Sequence, residues 1–199
     1  MSSLNPAKLT ARGLRTRTAL LAAAEEVFGK NGYERASISE ITRTAGVAQG
    51  TFYVYFSDKK TIFTELVTEL RNQLGQSIRT ALEGANSRLD VERAGLRAFF
   101  IFVRSHQDLY RIVRQAEFVD EELYRDYYRS MSASYAAGLK GAMQDGEIIT
   151  MDAEVLAYSL MGLTDFLGMR FLLWEDAQDI DLLVEQAMTF ITRGLRAST

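Results

Sequence analysis

Residues 37–60 read SISEITRTAGVAQGTFYVYFSDKK. Ser37 with Glu40 three places on has the form of a capping box, which predicts a helix start. Ile41 and Ala45 are four apart and share one face of that helix. Gly46 tolerates the positive φ of a tight helix–helix turn. Val47 then returns to the core. Phe52 and Phe56 repeat four apart, so a second short helix packs across the first. Its other face is polar: Gln49, Gly50, Thr51, Tyr53 and Tyr55.

Two crossed helices with one polar face predict a DNA-binding helix-turn-helix, one helix in the major groove and the other bracing it. An earlier helix is expected from about Arg15 to Lys30, with Leu20, Ala23, Ala24, Val27 and Phe28 on one face. Asn31-Gly32 stops it, and Tyr33 follows. Ser57 is expected to cap the next helix. Residues 28–59 thus carry Phe28-x-x-x-Gly32-Tyr33, then Ile41-x-x-x-Ala45-Gly46-Val47-x-x-Gly50-Thr51-x-Tyr53-x-x-Phe56-x-x-Lys59. This pattern resembles the amino-terminal domain of the TetR family of one-component repressors. Two positions depart from the family habit. Ala48 stands where a serine often caps the reading helix, and Tyr55 where histidine is common. A tyrosine can still donate to a phosphate.

Composition agrees with a soluble globular chain: 199 residues, 47 % hydrophobic and 25 % charged. The single proline, Pro6, lies in the amino-terminal arm, and alternating strand patterns are absent, so the fold is expected to be all-α with about nine helices. There are no cysteines, which excludes disulfides, zinc–thiolate sites and cysteine catalysis. No apolar amino-terminal run resembles a signal peptide, and no stretch approaches 18 uncharged apolar residues. The expected compartment is the cytoplasm, with no membrane partner. Net charge is −3, unevenly spread. Residues 1–60 hold nine Lys and Arg against five acids, and the rest fourteen against twenty-one. A basic head on an acidic body suits a protein that touches DNA at one end.

The expected organisation is a flexible arm at 1–10, a helix-turn-helix domain at 11–57, and a ligand-binding and dimerisation domain at 58–199. The body opens with a helix striped by Ile62, Leu66, Leu70, Leu74 and Ile78, running near Leu82. At about 1.5 Å per residue it is about 36 Å long, enough to link head and body mechanically. Further helices are expected over about 91–104, 108–118, 120–144, 152–174 and 180–196, the last behind an Asp179 cap. The 152–174 helix is apolar nearly all round, so one face is expected to need a partner.

The family resemblance implies a homodimer built on the last two helices, with Ala157, Gly162, Phe166, Leu183, Ala187 and Phe190 at the interface. It implies a double-stranded DNA operator contacted by Thr42, Arg43, Gln49, Gly50, Thr51, Tyr53, Tyr55 and Lys59. Arg43, Gln49 and Thr51 are assigned to base edges, Gly50 to close backbone approach, and Tyr53, Tyr55 and Lys59 to phosphates. It also implies a small-molecule effector. The expected ligand-binding residues are Phe99, Val103, His106, Tyr110, Arg111, Arg114, Tyr124, Tyr128 and Arg170: aromatic walls with cations for an acidic effector. The alternative for Arg111 and Arg114 is a solvated face with local ion pairs. His106-Gln-Asp-Leu-Tyr-Arg111, the tyrosines of the seventh helix and Gly162-Leu-Thr-Asp-Phe-Leu-Gly-Met-Arg170 resemble family members that govern fatty-acid or phenylacetate breakdown and sense acyl-CoA thioesters. Rival switches are a cationic or neutral hydrophobic compound, or a protein partner. A single histidine and no phosphate-loop, zinc-protease or nucleophile-elbow pattern make catalysis, a metal or a cofactor unexpected.

Overall fold

The computed structural model describes residues 9–175 and 179–196, all helix and connection among those residues. Among the described residues nine α-helices run in order: α1 Ala11–Arg35, α2 Ile38–Thr44, α3 Gln49–Tyr55, α4 Lys59–Ala81, α5 Arg88–Ser105, α6 Gln107–Val119, α7 Glu121–Gln144, α8 Ala153–Gly168 and α9 Ile180–Gly194. A π-helical turn, Met169–Trp174, extends α8. Most of the amino-terminal arm lies outside the described residues.

Local caps set most of these boundaries and explain the departures from expectation. α1 begins four residues before Arg15 because the Thr10 side chain accepts from Gly13 N. Its regular turns end at Gly32, whose φ of 76° breaks the helix at the expected stop. Ser37 accepts from Glu40 N and starts α2. Asp58, not Ser57, caps α4: its Oδ1 takes Thr61 N at 2.7 Å. That backbone hydrogen bond is the main reason the Asp58 carboxyl lies below its ordinary range. Ser87 accepts from Asp90 N and starts α5 three residues earlier than the apolar pattern implied. Asp152 and Asp179 cap α8 and α9. The expected 152–174 helix changes register after Gly168, where the absent side chain leaves room for the Phe99 ring, only 3.2 Å from where a Cβ would sit.

The chain forms two compact units. One joins the chain up to Arg71 with Gln107–Arg125; the other joins Asn72–His106 with the chain from Asp126. The division does not follow the expected boundary at residue 57. α6 packs on α1 more extensively than any other helix pair, because Gly29 leaves no side chain between the α1 backbone and Asp108. A Cβ at Gly29 would lie 2.3 Å from Asp108 Cβ. The core of the first unit is Leu20, Ala24, Phe28, Ile41, Phe52, Phe56, Ile62, Phe63, Leu66, Leu70 and Ile112. Phe63 meets Phe28 and Tyr33 edge-on, at 5.3 and 5.0 Å between centroids.

The second unit is built on Leu96, Phe100, Val103, Leu139, Leu156, Leu160, Leu172, Val184, Met188 and Ile191. A buried polar cluster crosses it. Arg88 places Nε and one Nη on Glu92 Oε1 at 2.7 and 2.5 Å, with both side chains less than a tenth exposed. Tyr135 donates to the other Glu92 oxygen, and the Arg88 amide to Glu147. Burial, then the Glu92 charge, pushes the Tyr135 hydroxyl well up. Gly138 makes room for Arg88: a Cβ there would be 2.8 Å from Nη1.

Ala153–Trp174 is long and apolar enough by composition to cross a bilayer only if its charged residues are tolerated. Glu154, Asp165 and Arg170 interrupt it, and Leu156, Ala157, Leu160 and Leu172 pack into the second unit. It is a core helix of that unit on one side.

Candidate nucleic-acid interface

α2 and α3 cross through the Gly46 turn, where φ is 67°. Ile41 and Phe52 are fully buried, so the remaining faces of the two helices are fixed outward. Gln49, Gly50 and Tyr53 are exposed and Thr51 is half-buried, giving α3 a polar outer face. Nothing occupies the space within 4 Å of where a Gly50 Cβ would sit, so a DNA backbone has room to approach there. Arg43 projects from α2 with 79 % of its side chain exposed, held loosely by Glu40 at 3.8 Å. No side chain caps α3, as Ala48 implied.

Three expected contact residues lie wholly or partly inward in the structure. Thr42 is only 3 % exposed, and its hydroxyl donates to the Ser39 carbonyl, so it braces α2 from inside. Sequence spacing placed it beside Arg43 without distinguishing the inner from the outer face of a seven-residue helix. Lys59 is turned inward as well. Its ammonium donates to the carbonyls of Tyr33 at 2.8 Å, Glu34 at 3.3 Å and Ala36 at 3.1 Å, and lies 4.4 Å from the Tyr33 ring centroid. All three protons are used on carbonyls just beyond the Gly32 break, favourable ground for a cation. Tyr55 is half-buried with its hydroxyl beside Gly13 near the start of α1. Arg12 and Arg15, exposed on the first turns of α1 and without an ion-pair partner among the described residues, are cations the motif reading passed over. Their position after the Thr10 cap was the available signal.

The last turn of α1, beyond the Gly32 break, and Ala36 after it are clamped from two sides. Lys59 holds its carbonyls, and the Tyr33 amide donates to Gln115 Oε1 of α6 at 2.5 Å. Lys60 adds an ion pair to Asp120 at 3.0 Å. The hydrogen bond to Lys60 is the main cause holding the Asp120 carboxyl below its usual range, and the same bond raises Lys60. Burial raises the Tyr33 hydroxyl, with Asp58 and Glu34 adding to it.

The expected effector residues are divided between the two units. Tyr110, Arg111, Arg114 and Tyr124 belong to the first; Phe99, Val103, His106, Tyr128 and Arg170 belong to the second. Tyr110 and Val103 are buried. Arg111 and Arg114 are exposed, Arg111 paired with Asp108 at 3.4 Å and Arg114 over the Tyr110 ring. This is the local-ion-pair alternative on the outer face of α6. His106 ends α5, stacked on Phe102 with centroids 4.2 Å apart. Arg170 pairs with Glu175 at 2.5 Å. A cleft of about 400 Å³ opens elsewhere, lined by Arg93, Met188, Thr192, Arg193 and Arg196 among others, none anticipated from sequence.

The expected dimer residues separate by helix phase. Ala157, Leu183 and Ala187 are buried in the core of their own unit. Gly162 faces open space, and Phe166 and Phe190 are 66 % and 69 % exposed. Val155, Tyr158 and Leu182 join them as uncovered apolar residues. On α8, positions 155, 158, 162 and 166 form one stripe, opposite 153, 156, 157 and 160.

Comparison with known proteins agrees with the helix-turn-helix head. The profile described as "Bacterial regulatory proteins, tetR family" matches residues 20–66. The regulator YdgC of Bacillus subtilis, described as an uncharacterised HTH-type transcriptional regulator, is 30 % identical over 175 residues, covering 83 % of this chain and 85 % of YdgC. The transcriptional activator FasR of Mycolicibacterium smegmatis is 32 % identical over 105 residues, covering 53 % of this chain and 48 % of FasR. Among solved structures, the transcriptional regulator FadR from Bacillus subtilis in complex with stearoyl-CoA superposes with a TM-score of 0.80 at 21 % identity, covering 90 % of this chain and 99 % of that one.

Proposed function

The chain belongs to the tetR family of bacterial regulatory proteins, and we propose that it acts as a homodimeric repressor released from its operator by an acyl-CoA. The observation that carries the DNA-binding part is the outer face of α3, with Arg43 of α2 beside it, held outward by buried Ile41 and Phe52. Arg43, Gln49 and Thr51 are the groups for base edges; Tyr53, Tyr55, Arg12 and Arg15 are those for phosphates.

The uncovered stripe of α8 and the exposed Leu182 and Phe190 of α9 support dimerisation. A single reading head addresses only half of a palindromic operator, whereas a two-fold dimer addresses both halves. Effector choice rests on the FadR fold, which holds stearoyl-CoA in that protein, together with the aromatic residues Phe99 and Tyr128 of the second unit. The effector must bind the DNA-released form more tightly than the DNA-bound form; a hundredfold preference corresponds to about 2.7 kcal/mol.

The test is a gel shift on DNA selected in vitro by the purified protein, with stearoyl-CoA, free stearate and a cationic hydrophobic dye added separately. Release by stearoyl-CoA alone supports the reading. Release by the dye alone replaces it with a multidrug-type sensor. A reporter fused to the selected site gives the sign of regulation; activation on binding would align the chain with FasR.

A further inference from the structure

α6 reaches the reading head through two glycines. Asp108 packs on Gly29 of α1, and Gln115, two helical turns later on the same face of α6, meets the chain at Gly32. Gly32 breaks α1, and the Tyr33 amide that follows donates to the Gln115 side-chain oxygen, 2.5 Å away. Gln115 is itself fixed, because its Nε2 donates to the Arg111 carbonyl at 3.0 Å. The amide flip is settled by that pair of bonds: the oxygen faces a donor and the nitrogen an acceptor.

Residues 33–35, the last helical turn of α1 beyond the Gly32 break, and Ala36 are all that stands between that break and Ser37, the cap of α2. Their carbonyls are held by Lys59 at the start of α4, and their first amide is held by Gln115. A connector of four residues with both ends gripped transmits any displacement to α2, and through the Gly46 turn to α3. A connector with one grip removed has freedom that DNA binding must then take away.

We infer that Gln115 is a positioning residue for DNA reading: it never touches DNA, and it sets the place of the helix-turn-helix by capping the Tyr33 amide. This goes beyond the assignment of α2 and α3 residues to operator contact and rests on that assignment for its binding readout. Its structural readout is independent of it.

The experiment compares full-length wild type, Gln115→Met and Gln115→Glu. Methionine keeps the length of the side chain and removes the acceptor; glutamate keeps an oxygen for the Tyr33 amide. Hydrogen exchange of the Tyr33 amide is read first, then fluorescence anisotropy on DNA selected by the wild type, at three salt concentrations. Gln115→Met is expected to lose Tyr33 protection and bind about tenfold more weakly, with an unchanged salt slope because no phosphate contact is lost. Gln115→Glu is expected to restore both protection and affinity. Circular dichroism at the assay temperature checks that both variants are folded; where Gln115→Met is not, Gln115→Glu against Gln115→Ser supplies the same contrast. Wild-type affinity in a folded Gln115→Met, or equal loss in the methionine and glutamate variants, overturns the inference. Persistent Tyr33 protection in Gln115→Met overturns it even if the wild type selects no DNA, a result that would count separately against the DNA-binding reading.

Discussion

Lys59→Met separates two roles for a residue whose motif position suggests phosphate contact. The substitution keeps the aliphatic stem and removes the ammonium. In the structure that ammonium makes three hydrogen bonds to carbonyls and lies over the Tyr33 ring. A hydrogen bond from a charged donor contributes about 1.5–3 kcal/mol. The three share one charge and one half-exposed side chain, so they do not add, and a total of about 2 kcal/mol is the reasonable expectation. For a chain of this size that lowers Tm by about 4–8 °C. DNA affinity should fall too, through a loosened 33–36 connector, with the same slope of log affinity against log salt as wild type. A phosphate contact predicts the opposite pattern: no change in Tm and a slope reduced by about 0.9 per half-site. Differential scanning calorimetry and a salt series of anisotropy titrations decide it. An unaltered Tm with a reduced slope would refute the carbonyl-clamp role and return Lys59 to the DNA backbone.

Three further outcomes are expected. Phe166→Asp with Phe190→Asp should give a folded monomer by sedimentation velocity with loss of operator binding, whereas Ala157→Glu should destabilise the protomer, since Ala157 is fully buried; a dimeric double aspartate variant would place the interface elsewhere. Arg88→Met or Glu92→Leu alone leaves an uncompensated buried charge and should cost about 3–5 kcal/mol, while the double variant recovers most of it; additive losses in urea melts would count against a coupled pair. The Asp120 carboxyl, lowered by Lys60, contributes stability that is present above the usual carboxylate range and lost as pH falls below that range through the lowered folded value; Asp120→Asn should therefore lower Tm at pH 7 and show a smaller decline towards low pH, and parallel Tm curves for the two proteins would contradict the pairing.

Much of the head was legible in the chain because its determinants are local. The Ser37 cap, the Gly46 turn, the four-residue spacing of Phe52 and Phe56 and the stop at Gly32 each act within one helical turn, so residue order carries them. The uncapped start of α3 followed from Ala48 alone. Even the starts that moved, α1 to the Thr10 cap and α4 to the Asp58 cap, moved by only a few residues. Composition likewise settled the all-α class, since nothing after Pro6 forbids helix.

Which way a side chain faces was another matter. Thr42 and Arg43 are neighbours in sequence, yet one is buried and the other exposed, because only packing on α1 and α3 decides the phase of so short a helix. Ala157, Leu183 and Ala187 looked like interface residues on helices apolar on many sides; the core of the chain itself holds them and leaves Phe166 and Phe190 exposed. Lys59 meets carbonyls 23 to 26 residues away, and Gln115 an amide 82 residues away. Sequence determined the helices and the turn between the two proposed to face DNA. Tertiary structure decided which charges stay exposed, since hydrogen bonds and burial between distant segments have no periodic trace in the chain.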